Sequence, residues 1–460
     1  MRPASPEALH DLADAYRHHI QFDGHAVAFY RLAIDADRNF ALAYAGLAAI
    51  YNTDDSQIGL ARITAAQAHD LRDRFATPDR YLADTIYFDI TRGEYDKAVP
   101  IYQQWVQEFP NDLRARVNFN GCLDHLGRYD EAIVQAREAI RLWPAEFTYW
   151  ALIQSLANAG REAEAEAAFH EAEFRHMDGI PSHEIMLDLA EIQNDKAAID
   201  QQIAWARKNP SALGTFLQHE SWWEEKHGRL RSAWVLKGEE IKEAGGPDSQ
   251  LIRASDVAME ESEIGEPQAA KKLLRPILAD PKAISGSWLN SQVAYALARI
   301  GDIQSAQRYL AAAEADLPAT SLDSIYLSGM IRAAIQLDEN DPAGAVQTLE
   351  PIRPFDGSAT GAVPTGLVPA YLRGLAYLKL GDGHSAALEF QKLVSHPYLV
   401  SKGIPSLNSI SLLQLARAQL LQGDKDDAKT SYQQFLAQWK DADSDIPLYR
   451  QARAEYARLR

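Results

Sequence analysis

The residues whose types and spacing could support chemistry are a few histidines, their neighbouring carboxylates and one thiol. His219-Glu220 and Glu224 to His227 fall within one helix turn-set, a donor combination that could hold a transition metal. The zinc-binding helix signature places its two histidines four residues apart, whereas His219 and His227 are eight apart. The spacing therefore favours solvated turn residues, and no metal is expected. His170, His176 and His183 read as scattered surface positions. Cys122 is the only cysteine, which rules out an intramolecular disulfide and any zinc site with two thiolates. Flanked by Gly121 and Leu123 with no activating base, it reads as a small packed side chain, not a nucleophile.

Catalytic motifs give no stronger signal. A kinase needs a Gly-rich loop, a strand lysine, a His-Arg-Asp loop and Asp-Phe-Gly. The nearest string, Phe355-Asp356-Gly357, has the order reversed. Walker loops, Gly-x-Ser-x-Gly elbows and dinucleotide fingerprints are likewise missing from the sequence, so neither catalytic residues nor cofactors are expected. With 46 Lys plus Arg against 64 Asp plus Glu, the net charge of −18 argues against a nucleic-acid surface, which needs a basic stripe. The residues after Met1 lack the apolar core of a signal peptide. The longest apolar stretch, Phe40 to Tyr51, falls short of the roughly 20 residues of a membrane span. A cytoplasmic chain is expected.

The elements that must carry any site are set by a repeat. Gly93, Tyr95, Ala98 and Pro110 recur 34 residues later as Gly127, Tyr129, Ala132 and Pro144. Five residues after each of eight glycines stands an alanine: Ala98, Ala132, Ala165, Ala233, Ala270, Ala306, Ala386 and Ala428. Asn340 replaces the glycine in one further unit, with Ala345 at the same offset. Gly or Asn can take the left-handed conformation that ends a helix in a tight turn. The alanine then marks where the following helix crosses closest to its predecessor, since a larger side chain would force them apart. Four residues on, Tyr102, Phe169, Leu274, Leu310, Leu349, Phe390 and Tyr432 supply bulk on the same helix face. Proline seventeen after the glycine, at Pro110, Pro144 and Pro318, closes a unit because it cannot continue the helix. Each unit is predicted to be helix–turn–helix, with an apolar face too large to bury alone.

This pattern resembles the tetratricopeptide repeat, with its small, aromatic and proline positions in a 34-residue consensus. The resemblance implies an all-α fold, a right-handed α-solenoid of about twelve repeats over residues 1–446. Units 77–110 and 111–144 are the clearest. Glycine spacing widens after Gly228, which predicts longer helices or loops in the C-terminal half. Pro351 to Pro369, with three glycines and four prolines, is predicted to be a hinge or exposed loop. Residues 447–460 read as a capping helix with Pro447 in its first turn and Leu448, Ala452, Tyr456 and Leu459 at helical spacing.

A narrower resemblance rests on Leu71-Arg72-Asp73-Arg74, Tyr87-Phe88-Asp89, Trp105 and Phe109-Pro110, and on the stretch from Tyr432 through Trp439-Lys440-Asp441 to Asp445-Ile446-Pro447. These are similar to C-terminal repeat regions of bacterial eukaryote-like serine/threonine kinases and winged-helix regulators. Here the repeats follow Met1 almost at once, which implies that the kinase or DNA-binding domain of such relatives is absent or separately encoded. First helices line the concave groove of tetratricopeptide arrays. The resemblance therefore places Arg80, Tyr87, Arg114, Asn118, His125, Trp150, Gln154, Asn158, Trp222 and Glu225 toward that groove. Of these, Arg80, Tyr87, Arg114, Asn118, Trp150, Gln154, Asn158 and Trp222 are the expected partner-binding residues, since Arg, Trp and Asn suit an extended peptide. Two function classes follow. One is a noncatalytic scaffold holding a protein or peptide partner. The other is the sensory arm of a kinase or transcription regulator whose active domain lies elsewhere.

Overall fold

The computed structural model describes all residues except 1–4, 20–24, 52–57, 75–76, 210, 244–246, 282–283, 285, 316–318, 320, 359–365 and 460. Among the described residues there are 26 α-helices and no strand. They follow one another as antiparallel pairs, so the fold is the expected all-α solenoid of tetratricopeptide-like repeats. No helix among the described residues is long and apolar enough to cross a membrane.

The turn chemistry explains the pairing. All eight turn glycines have positive φ, from +56° at Gly93 to +100° at Gly423, and Asn340 joins them at +62°. The residue after each turn donates its N–H to a carbonyl five residues back, as in Arg128 to Leu123, Arg161 to Leu156 and Asp302 to Leu297, each at 2.9 Å. This is the bond that closes a helix through a left-handed residue. At Gly93 the bond reaches six residues back, from Glu94 to Phe88, because the helix ends in a π-helical turn, Tyr87–Thr91. Asn194 (φ +55°) is a turn that the glycine pattern passes over, midway between Gly160 and Gly228, with Ile199 at the alanine offset.

Packing follows from the turns. The nine crossing alanines are at most 2 % exposed, and the large residues one turn on, from Tyr102 to Tyr432, are buried too. The wider spacing after Gly228 comes partly from long first helices such as Pro247–Ile264 (18 residues) and Leu322–Asp338 (17 residues). It also comes from an inserted short helix, Pro397–Ser401. The Pro351–Pro369 stretch is only in part the predicted loop. Glu350–Phe355 is a 3-10 helix that extends Pro342–Leu349, and Val368 and Pro369 open the helix Val368–Leu380. Asp356 between them is held by the buried Arg373 and by Lys392 at 3.0 Å. Residues 359–365 of that stretch, and the closing Pro318, lie outside the described residues.

The helices group into two compact units. One runs to Met186 and includes a segment ending at Ser324; the other takes up the chain from Leu187. In the first, Trp105 is fully buried among Tyr81, Tyr102 and the Leu82, Ile86 and Phe119 side chains. A distant segment closes over its first turn glycine: Leu322 N–H donates to the Gly93 carbonyl, and Tyr95 donates to Asp323, 228 residues away. In the second unit, Asp443 N–H donates to the Gly228 carbonyl and Trp439 Nε1 to the Lys226 carbonyl, each at 3.0 Å. The terminal helix, Pro447–Ala457, packs Ala452 and Tyr456 against Tyr432, Phe435 and Trp439.

Candidate functional site

The expected partner-binding residues do not share one state. On the helix Thr77–Ile86, Arg80 is exposed, with its guanidinium 3.9 Å from Asp73. Tyr87 begins the π-helical turn and stacks on His69, the ring centroids 3.9 Å apart. Asn118 is half-buried and donates to the Arg114 carbonyl at 2.8 Å. On the next first helix, Glu146–Asn158, Trp150 and Gln154 are half-buried as well.

Arg114 is structurally committed. It bridges Asp79 and Asp112, each at 2.8 Å, and lies over the Trp105 ring. Asp112 is also the N-cap of the helix Leu113–His125, so Arg114 ties that cap to the preceding repeat. Asn158 is buried at 4 % exposure, contrary to a groove-lining role. It belongs with Ser155 to a polar cluster around Asp124, whose carboxyl burial pushes up to about 7 against the hydrogen bonds of Ser155 and Asn158. His125 is turned inward as well, its Nδ1 3.6 Å from Asp89.

In the second unit, Trp222 donates its indole N–H to Glu260 at 3.2 Å and meets His219 edge-on. Glu225, expected in the groove, is instead buried against Lys237, which also pairs with Glu260 (2.8 Å) and Glu261 (3.2 Å). Burial and the two neighbouring glutamates push the Glu225 carboxyl up to about 8, despite the Lys237 ammonium.

The solvated reading of His219 is corrected: it is 4 % exposed. The helix Ile180–Gln193 places Asp188 and Glu191 three residues apart on one face, and the helix Leu213–Lys226 sets His219 opposite them. His219 Nδ1 stands 3.6 Å from Asp188 Oδ1 and 3.6 Å from Glu191 Oε2. Desolvation disfavours a charged ring there, yet the two carboxylates outweigh it and raise the His219 pKa. Burial raises that of Glu191. Two lysines complete the surroundings. Lys402 pairs with Asp188 Oδ2 at 3.0 Å, and Lys226 donates to the Glu191 carbonyl at 2.5 Å. His227 takes no part; its Nδ1 faces the Trp223 carbonyl at 2.7 Å. His183 is buried too, 3.1 Å from Asp178, whereas His170 and His176 are exposed as expected.

Beside this cluster lies an open cavity of about 440 Å³. Ile199, Ile203 and Phe216 form its apolar side, and Glu191, His219 and Glu220 bring polar groups to it. The spacing within Leu213–Lys226 pairs His219 with its own helix. Its actual partners come from the preceding first helix, and only knowledge of the turn at Asn194 would have aligned the two.

Two stretches match family models described as tetratricopeptide repeat, residues 90–147 and 411–442. Both fall where the glycine–alanine pattern is clear. The structure is similar to that of the APC/C hetero-tetramer Cut9–Hcn1, with a TM-score of 0.50 and 14 % identity over 99 % of this chain and 84 % of that one. Yeast Tom70 matches with a TM-score of 0.28 at 12 % identity, over 98 % of this chain and 87 % of that one. The human IFIT1 dimer with PPP-AAAA matches with a TM-score of 0.35 at 13 % identity, over 94 % and 90 %. No curated protein matches this chain by sequence. The two matched stretches thus carry tetratricopeptide repeats, within an all-helical chain that has the solenoid fold of such arrays.

Proposed function

We propose that this chain is a noncatalytic scaffold that holds an extended protein segment against the first helices of its repeats. One observation carries the reading. Tyr87, Asn118, Trp150 and Gln154, on first helices of three consecutive repeats, keep part of their surface in solvent, whereas the second-helix aromatics Tyr102 and Phe169 are buried. Side chains that both stack and hydrogen-bond, left half-exposed in series, suit a partner whose backbone and side chains pass them in turn. No catalytic family is among the matches. The finer placement, in bacterial signalling or regulation, is supported by the resemblance carried by Leu71 to Arg74 and by Tyr432 to Pro447.

The test must spare Arg114, because its loss would break the bridge between Asp79 and Asp112. The double variant Arg80→Ala, Trp150→Ala removes an exposed and a half-exposed group from two units separated by one repeat. Truncating a binding hot spot costs about 2 kcal/mol or more. Affinity capture from lysate of the source organism, with the partner identified by mass spectrometry, is expected to lose that partner with the variant while the helical circular dichroism stays unchanged. Equal capture by both proteins would move the binding face elsewhere.

A further inference from the structure

We propose that Asp188, Glu191 and His219 form a binding site for one divalent transition-metal ion of the zinc type, opening toward the adjoining cavity. The geometry of His219 is the starting point. Its Nδ1 is buried without a hydrogen-bond partner among the described residues, although two carboxylate oxygens face it at 3.6 Å each. A ring N–H forming a good bond to either carboxylate would bring that oxygen to about 2.7–2.9 Å. An orphaned buried nitrogen aimed equally at two oxygens calls for something between them.

A metal ion accounts for the separations. Two donors each about 2.1 Å from a tetrahedral ion stand about 3.4 Å apart, close to the spacing seen here. The three donor atoms all lie within 4.8 Å of one another, so one ion can reach all of them. One imidazole with two carboxylates is a ligand set for zinc and its first-row neighbours, not for the all-oxygen shells that calcium and magnesium take. Lys402 occupies the outer oxygen of Asp188 and leaves the inner one directed at His219, the orienting role that outer partners play around metal ligands. Lys226 binds the Glu191 backbone, not its carboxylate. Because Glu191 and His219 also line the cavity, the remaining coordination positions would face it and leave room for water or a ligand.

The experiment uses the full chain without a polyhistidine tag, stripped with EDTA and dialysed against Zn²⁺. One equivalent per chain is expected to be retained. His219→Gln and Asp188→Asn should each lower the affinity at least tenfold, whereas His170→Gln, at an exposed histidine, should leave it unchanged. Circular dichroism checks that each variant folds. Independently of any variant, X-ray absorption of the wild-type Co²⁺ complex should show one imidazole nitrogen with oxygens. The absence of a stoichiometric site, an all-oxygen shell, or undiminished binding by both folded ligand variants would overturn the proposal and leave His219 as an imidazolium held between two carboxylates.

Discussion

Asp124 lies in the last turn of the helix Leu113–His125, its Oδ2 accepting the Ser155 hydroxyl at 2.8 Å. Burial holds its pKa at about 7, well above the 3.8 of a free carboxyl, so the folded state favours the protonated acid. The sign follows from linkage. The stabilisation is complete below about pH 4, where folded and unfolded forms are both protonated, and is lost as the pH rises through 7. Each unit of separation corresponds to about 1.4 kcal/mol, so the loss across this window is on the order of a few kcal/mol. Asp124→Asn keeps an acceptor for Ser155 and removes the titration. The variant is expected to melt higher than wild type at pH 8 and to have a flatter melting profile between pH 5 and 8. Parallel profiles would show that Asp124 is ionised in the fold. Nothing in the sequence marks this aspartate, because its burial depends on Ser155 and Asn158 from the next repeat.

The turns between paired helices were legible as elements, but what packs on them was not. Gly160 and Gly228 have nearly the same φ, +69° and +70°, and occupy equivalent places in their units. A Cβ added at Gly160 meets nothing within 4 Å, whereas at Gly228 it comes to 2.7 Å from Ala442 Cβ and 2.8 Å from the Trp439 ring. Gly160→Ala should therefore cost only the left-handed strain, about 1–2 kcal/mol. Gly228→Ala should add the overpacking of a rigid indole, about 1–3 kcal/mol more. Thermal melting of the two variants checks this, and equal losses would mean that Trp439 does not sit on the turn. The π-helical turn at Tyr87 has the same origin. The spacing from Gly93 to Ala98 is regular, so the extra residue is hidden upstream, where nothing in the local pattern marks it.

At the scale of the whole molecule, a repeat array leaves an apolar face at each end that only a cap can cover. We propose this role for Pro447–Ala457, which lays Ala452 and Tyr456 on Tyr432, Phe435 and Trp439. Tyr432 and Gln433 also lose partners without it, since they bond to Glu455 and Tyr456 at 2.8 Å each. A chain ending at Ile446 is expected to melt lower and to self-associate in size-exclusion chromatography. A truncated chain that remains as stable and as monodisperse as the full one would show that this helix is not a cap.

Legible in the sequence was the repeat: its period, the left-handed turn residues, the crossing alanines and a helix that begins at Pro447. These are local quantities, since a positive φ and a close helix crossing are imposed by residues a few positions apart in the same unit. The tertiary structure decided the sites. His219 is buried because the preceding repeat brings Asp188 and Glu191 to it, and Lys402 reaches Asp188 from 214 residues away. Arg114 is committed because Asp79 comes from the repeat before, 35 residues away. Side chains that look alike along the chain were thus sorted into exposed, bonded and buried by neighbours from other repeats. The helical period constrains which face a residue occupies, but not which distant residue meets it there.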